Sequence, residues 1–92
     1  LGVYAVKVHI EGENECRHGM MNIGRRPTFG GDDITLEINI FDFAADIYGR
    51  LLHVSFVHRI REERKFNNAQ DLASQLKDDR RLVEEQFIKD DK

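Results

Sequence analysis

Apolar and polar residues alternate along several stretches of the chain, and this period of two predicts β-strands. In residues 3–10 the apolar side chains occupy every second position from Tyr4 to Ile10, with Lys7 and His9 among those between them. Similar alternation, bounded by turn-forming residues, predicts further strands over about 16–23, 34–43 and 51–61. The links between them are short, so we expect the strands to pair antiparallel.

The strand predicted over residues 34–43 carries different chemistry on its two faces. Its even-numbered positions are apolar and its odd-numbered positions are polar: Ile34, Leu36, Ile38 and Ile40 against Thr35, Glu37 and Asn39. Because successive side chains point to opposite faces, the apolar set should build a core while the polar set meets water or lines a site. Glu37 is therefore a candidate base for a substrate hydroxyl. A solvent-facing Glu on an antiparallel sheet explains the same pattern.

Residues 24–33 combine glycine, arginine and aspartate, and they predict a long loop before this strand. Gly24 is followed by Arg25 and Arg26, and Thr28 lies two positions further on. Glycine lets a backbone approach a phosphate closely and guanidinium groups can clamp it, so the loop is a candidate anion site. A flexible connector is the alternative interpretation.

A period of three to four near the end of the chain predicts one helix over about 68–88. Asn67 is the expected N-cap, with Gln70 at the spacing of a capping box. The apolar stripe expected to pack on the sheet consists of Leu72, Leu76, Val83 and Phe87, helped by Ala69, Ala73 and Leu82. Residues 78–81 are all charged and are expected on the solvated side. Strands followed by one helix predict an all-β fold with a C-terminal helix, as an antiparallel barrel or curved sheet.

Composition narrows the class of protein. The 92 residues make one domain with a modest core, and a net charge of −3 gives no basic footprint for nucleic acid. No apolar run approaches about 18 residues, so we expect no membrane span and a cytoplasmic location. Cys16 is the single cysteine and is expected to pack in the interior, and the four histidines lack metal-site spacing and are interpreted as structural. The first strand begins almost at Leu1, so either the domain starts abruptly or the chain is a fragment.

A second basic cluster occupies residues 59–66, which read RIREERKF. Its guanidinium groups could bind phosphate, and Phe66 could stack on a planar ring. The alternative is a strand end whose arginines pair with Glu62 or Glu63 at the surface. Because surface ion pairs contribute only about 0–1 kcal/mol, we expect Arg61→Ala to weaken ligand binding more than it destabilises the fold.

Five segments, in chain order, resemble one enzyme family. They are GVYAVKV at 2–8, NIGRRPTF at 22–29, LEINIFDF at 36–43, DIYGRLLHVSFVHRIREERKF at 46–66 and DLASQLKDD at 71–79. Together they look like the riboflavin kinase domain of bacterial bifunctional riboflavin kinase/FAD synthetases. The resemblance implies an antiparallel, Greek-key-like β-barrel that transfers the γ-phosphoryl group of ATP, with Mg2+, to the 5′-hydroxyl of riboflavin and yields FMN. It also implies an N-terminal adenylyltransferase domain in the parent enzyme.

The resemblance further implies roles for individual residues. Glu37 matches the acidic strand residue held to be the catalytic base of the family. The positions matching the segment that covers the flavin are Arg61, Arg64 and Phe66. The positions implied in nucleotide binding are Asn22, Gly24, Thr28 and Asn39.

One diagnostic motif of the family has no match in the chain. Pro-Thr-Ala-Asn, whose Thr and Asn organise magnesium and ATP, is expected upstream of Gly2, whereas Pro27-Thr28 belongs to a later loop. We therefore expect residues 1–92 to be the C-terminal portion of a kinase domain, an incomplete barrel without metal ligands of its own and inactive alone. Open strand edges predict self-association. Two other functions stay open: a non-catalytic flavin-binding module, and a single-stranded nucleic-acid-binding barrel, which the negative charge disfavours.

Overall fold

The computed structural model describes residues 1–90, which form four strands and one helix. Their bounds are β1 Gly2–Ile10, β2 Arg17–Thr28, β3 Gly31–Ile40, β4 Leu52–Arg61 and α1 Ala69–Asp90. The strands make one antiparallel sheet in the order β3-β2-β1-β4. Three hairpin-connected strands with a fourth returning beside the first are a Greek key. The predicted antiparallel Greek-key fold with a C-terminal helix is confirmed, and the sheet is open between β3 and β4, as expected of an incomplete barrel.

Strand β1 lies at the centre of the fold and is covered on both faces. On one face Val3 and Ala5 pack with Val83 and Phe87 of α1. The opposite face buries a second cluster, which consists of Val6, Val8, Ile10 and Met21. The register of β1 against β4 shifts twice near the start of β1, and such irregularities bend and twist a sheet. The alternation predicted for this strand therefore serves two apolar clusters rather than one.

The prediction of a loop over residues 24–33 is wrong. These residues form the outer part of the β2–β3 hairpin, paired in register from Gly24 opposite Thr35 to Thr28 opposite Gly31. The chain reverses at Phe29 and Gly30, and Gly30 has φ of 97°, a left-handed conformation that glycine adopts without strain. Polar composition suggested a loop here, but backbone pairing between the two arms extends the strands. Strand β2 is accordingly longer than predicted, and β3 begins and ends three residues earlier.

Helix α1 begins one residue later than its predicted cap implies. Asn68, not Asn67, is the N-cap: its Oδ1 accepts a hydrogen bond from the Asp71 backbone N–H at 2.8 Å, and its Nδ2 donates to Asp71 Oδ2 at 3.2 Å. The first of these contacts satisfies one of the orphan backbone donors of the first turn, and the second joins the two side chains. The cap is therefore formed by Asn68 with Asp71 three residues on, rather than by Asn67 with Gln70.

The helix differs from its predicted amphipathic pattern at one charged position. Val83 and Phe87 are buried as expected, and the His18 ring stacks on Phe87 with centroids 3.8 Å apart. Asp79, however, was expected on the solvated side and is fully buried. Its position explains this, because it follows Leu76 by three residues and precedes Val83 by four, which is the spacing of one helix face.

Candidate functional site

A groove of about 340 Å³ lies between the sheet and the middle of α1. The polar side chains that line it are Asn22, Glu37 and Asn39 from the sheet and Lys77 and Arg80 from the helix. Met20, Ile38 and Leu76 add apolar surface. The groove is on the helix side of the sheet, since side chains of β2, β3 and α1 line it together. The predicted division of β3 into a polar and an apolar face holds only in part. Glu37 and Asn39 line the groove, but Ile34 and Leu36, which were expected in the core, are 56% and 62% exposed because β3 is the outer strand of an open sheet.

Glu37 presents an exposed carboxylate to this groove. It makes no hydrogen bond or ion pair with any other residue in the described range, 1–90. The apolar face behind it is only partly covered, since Ile38 packs on the second cluster while Leu36 is 62% exposed. An unpaired carboxylate at the side of a groove is free to accept a proton or a hydrogen bond from a bound molecule.

Asn22 lies directly opposite Glu37 and carries an unsatisfied polar atom. Its Oδ1 is buried and has no hydrogen-bond partner among residues 1–90. A buried acceptor left unpaired costs roughly 1–3 kcal/mol, so such groups are few and call for an explanation. A donor from a molecule in the groove would satisfy this oxygen. Asn22, Glu37 and Asn39 are thus three sequence-predicted site residues that the fold brings together.

Two cations of the groove were missed by the sequence reasoning. Arg80 contacts Glu84 at 2.6 Å and Asp42 at 3.1 Å, and its guanidinium lies over the Phe41 ring. Hydrogen bonds, first to Glu84 and then to Asp42, raise the pKa of Arg80 above its ordinary value. Lys77 has no hydrogen-bond or ion-pair partner within residues 1–90 and is the cation available to a ligand. The sequence does contain a signal for Lys77: it follows Leu76 directly and so lies at the edge of the apolar stripe of the helix.

Gly24 marks the place where the 61–66 segment, which follows β4, meets β2. A side chain on Gly24 would lie 3.4 Å from Glu63 Oε1 and 3.8 Å from Asn22 Oδ1. The same Glu63 oxygen accepts a hydrogen bond from the Arg25 backbone N–H at 3.0 Å. Gly24 therefore borders the groove beside Asn22, and a Cβ at this position would be at ordinary van der Waals distance from Glu63. This glutamate pairs with a backbone amide of β2, not with a neighbouring arginine as the surface alternative supposed.

Thr28 is not brought to the groove. It lies at the exposed tip of the β2–β3 hairpin, where its Oγ1 donates to the Gly31 carbonyl at 2.9 Å. Six residues of strand separate it from Asn22, a span of about 20 Å. Arg25 in the same hairpin is 3.9 Å from Asp32, and Arg26 pairs across from Asp33 in the ladder. The arginines of the predicted anion loop therefore lie on a paired strand, with Asp32 and Asp33 on the strand opposite, and not in a loop.

Arg61, Arg64 and Phe66 are brought together, but Arg61 is not a surface residue. Its Nε and Nη2 each lie 2.8 Å from a different oxygen of Asp79, whose side chain is fully buried. Arg61 itself is only 18% exposed. Both guanidinium groups face the Phe66 ring, at 5.8 Å for Arg61 and 5.1 Å for Arg64. The surface ion pair assumed for Arg61 is thus wrong, and the small stability cost expected from a surface pair does not apply to it.

A larger groove of about 450 Å³ lies between the β1–β2 hairpin and the end of α1. Acidic side chains dominate its rim, and Arg17 within it is already paired with Glu13 at 2.9 Å. Cys16 lines this groove and is exposed, so the prediction that it packs in the interior is wrong. Residues 1–90 contain no group of three or more His, Cys, Asp or Glu side chains placed to hold a metal ion.

The groove between the antiparallel sheet and the C-terminal helix, with its unpaired carboxylate, is a concave site of the size and mixed polarity in which small molecules commonly bind. The comparisons with known proteins give the family. The chain belongs to the riboflavin kinase family, because the family model described as Flavokinase, riboflavin kinase, matches residues 1–87.

Relatives and a solved structure agree with this assignment. The chain is 45% identical over 78 residues to the bifunctional riboflavin kinase/FMN adenylyltransferase of Haemophilus influenzae, covering 85% of this chain and 25% of that protein. It is 41% identical over 87 residues to the RNA-binding riboflavin kinase RibR of Bacillus subtilis, covering 94% of this chain and 37% of that protein. The chain thus spans about a quarter of the length of the bifunctional relatives it matches.

A crystal structure described as a macrolide-efflux protein from Streptococcus pneumoniae is similar with a TM-score of 0.79 and 38% identity. The match covers 90% of this chain and 27% of that one, so it supports the fold of the matched part. Within residues 1–90 no helix combines the length and apolar character that crossing a membrane requires.

Proposed function

We propose that this chain supplies the base-bearing part of a riboflavin kinase site, which transfers the γ-phosphoryl group of ATP to the 5′-hydroxyl of riboflavin and yields FMN. The proposal includes the assignment of residues 1–92 to the C-terminal portion of the kinase domain, in a protein that also carries an adenylyltransferase domain. The observation that carries it is the unpaired Glu37 carboxylate beside the unsatisfied Asn22 oxygen in a groove of a riboflavin kinase family member.

In this proposal Glu37 accepts the proton of the 5′-hydroxyl as the oxygen attacks phosphorus. Phosphoryl transfer needs little else from a protein beyond positioning and neutralisation of charge. Asn22 and Asn39 flank Glu37 and can orient the hydroxyl and the phosphates, with Gly24 at the border of the groove. Lys77 supplies a positive charge on the opposite wall.

Mg2+ enters as the companion of ATP, whose phosphate charge it neutralises. In this proposal the protein ligands of the ion come from the Pro-Thr-Ala-Asn segment, which has no match in this chain, so that Glu37 stays free to act as the base. Arg64 and Phe66 would contact the flavin, the arginine by charge and the phenyl ring by stacking. Thr28 is left without a role, because it lies at the hairpin tip.

The experiment is Glu37→Gln in a chimera in which residues 1–87 replace the matching segment of the Haemophilus influenzae relative. The rest of that protein is kept. Loss of a positioned base should lower kcat for FMN formation by about 10² to 10⁴, with KM for riboflavin nearly unchanged. Asp33→Asn is the matched control, since it makes the same charge change on the same strand outside the groove. Equal activity of the two variants would return Glu37 to a solvated position without a catalytic role.

A non-catalytic flavin-binding module is the second candidate, because the described groove holds the acid but the Pro-Thr-Ala-Asn motif is absent from the chain. We expect the 92-residue chain alone to quench riboflavin fluorescence without forming FMN. Magnesium-dependent FMN formation by this chain would show that it needs no further residues. Nucleic-acid binding is named for the RibR relative, but a net charge of −3 gives this chain no general affinity for phosphate backbones.

A further inference from the structure

A closed ring of side-chain contacts joins α1 to the 61–66 segment. Asp79 holds Arg61 through two contacts of 2.8 Å, and Gln75 Nε2 donates to Asp79 Oδ1 at 3.0 Å. Arg64 Nη1 donates in turn to Gln75 Oε1 at 3.2 Å. Phe66 lies against both guanidinium groups and completes the ring. Both arginines of this ring therefore donate hydrogen bonds to side chains of the helix.

The two arginines of the ring differ in how firmly they are held. Arg61 donates to Asp79 through Nε and Nη2, and its Nη1 also donates to the Glu62 carbonyl at 3.0 Å. A guanidinium group has five N–H donors, and this arrangement engages a donor on each of its three nitrogens. Arg64 is exposed and makes one long hydrogen bond to a neutral amide. Arg61 is therefore built into the fold, whereas Arg64 can exchange its partner for a ligand.

The cost of burying Asp79 indicates that it has a purpose beyond packing. It occupies the helix face that also carries Val83 and Phe87, where an apolar residue would pack without desolvating a charge. A buried ion pair is often no more stabilising than apolar residues of similar volume. What the carboxylate supplies is a fixed position for a guanidinium at the end of β4 and so for the residues that follow it.

We propose that Asp79 is a positioning residue for the kinase site: through Arg61 it fixes the 61–66 segment so that Arg64 and Phe66 face the ligand. The proposal rests on the proposed function for the identity of that ligand, riboflavin. Arg61 acts as a strut between helix and segment and does not touch the flavin. This reassigns Arg61 from the flavin-contacting role that the family resemblance implied.

The test uses the 92-residue chain and the double variant Arg61→Met/Asp79→Leu, which replaces the ion pair with apolar side chains of similar size. Limited trypsin digestion, followed by mass spectrometry, should show faster cleavage after Arg64 and Lys65, with unchanged cleavage after Arg17. Riboflavin titration by fluorescence should show Kd raised about 10- to 100-fold, the worth of one or two misplaced hydrogen bonds to a charged group. Asp79→Asn, which keeps the shape of the side chain, should shift both measurements in the same direction.

Glu85→Gln is the control, because among the described residues Glu85 pairs with the exposed Arg81 on the same helix and has no contact in the ring. It should leave both measurements at wild-type values. A folded double variant that resists trypsin after Arg64 as well as the wild type does would overturn the positioning role. If the wild-type chain alone binds no riboflavin, the second candidate function, a flavin-binding module, fails, and the digestion still decides whether Asp79 fixes the segment. Wild-type affinity in a double variant with a loosened segment would also refute the proposal.

Discussion

Removing Arg61 should destabilise the fold far more than removing any other arginine of α1 or its surroundings. In Arg61→Ala the Asp79 carboxylate, fully buried, keeps its hydrogen bond to Gln75 but loses both charged donors. Breaking a buried pair in this way costs about 3–5 kcal/mol, whereas exposed pairs are worth about 0–1 kcal/mol. A domain of this size has a free energy of unfolding of about 5–14 kcal/mol, so the loss is a large fraction of the total.

Urea unfolding followed by far-ultraviolet circular dichroism measures this loss, since the chain has no tryptophan for fluorescence. With an m-value of about 2 kcal/mol/M, a loss of about 4 kcal/mol lowers the urea midpoint by about 2 M. Arg81→Ala is the matched control, because its partner Glu85 is half exposed and the pair is two residues along the same helix from Asp79. The control should shift the midpoint by less than about 0.5 M.

The double variant Arg61→Met/Asp79→Leu tests separately whether the lost stability comes from the unpaired carboxylate. If the cost of Arg61→Ala comes from the stranded carboxylate, removing both charges should restore the midpoint to within about 0.5 M of wild type. Equal shifts for Arg61→Ala and Arg81→Ala would mean that Asp79 is hydrated in solution. A double variant as unstable as Arg61→Ala would mean that packing of the arginine stem, not charge, holds the helix.

Two further predictions concern the cap and the sheet edge. Asn68→Ala should lower the free energy of unfolding by about 0.5–2 kcal/mol, because Asn68 accepts a hydrogen bond from a backbone amide of the first turn. Asn67→Ala, which removes no such bond, should leave the free energy unchanged. Thermal unfolding compares the two variants directly. Exposed Leu36 and Ile34 lie on the open outer strand β3, so the chain should self-associate with rising concentration, and Leu36→Lys should suppress this in sedimentation velocity. A chain that stays monomeric at high concentration would contradict the second expectation.

The sequence was informative wherever local alternation decided the structure. A strand period of two predicted β1 and β4 nearly to their ends, and the polar face of β3 with Glu37 and Asn39 followed from the same rule. It failed in the β2–β3 hairpin, where glycine and charge composition suggested a loop. There the deciding interaction is pairing between two arms, and composition within one arm carries no information about its partner.

The buried ion pair escaped prediction for a different reason. Asp79 stands in a run of five consecutive charged residues, 77–81, which favours a solvated face, yet its helical spacing places it on the apolar stripe. Its partner Arg61 is 18 positions earlier and belongs to a strand. Periodicity identifies which face a residue occupies but not which distant group meets it there, so the charge pattern outweighed the correct signal. The family resemblance likewise grouped Thr28 with Asn22 in nucleotide binding, although an extended strand separates them.

The location of Glu37 on the helix side of the sheet makes α1 part of the proposed site. The groove has one wall of sheet and one wall of helix, so its width depends on how closely α1 lies against β1 and β2. Val83 and Phe87 hold the C-terminal half of the helix by apolar contact, whereas Asp79 holds its middle through Arg61. Lys77 lies two residues before Asp79 on the same helix, so the ion pair that holds Asp79 also helps to fix the part of the helix that carries this cation. The Asp79 carboxylate therefore links the stability of the helix to the ability of the groove to bind a ligand. A variant that changes one of these properties without the other must replace the ion pair and leave the helix in place.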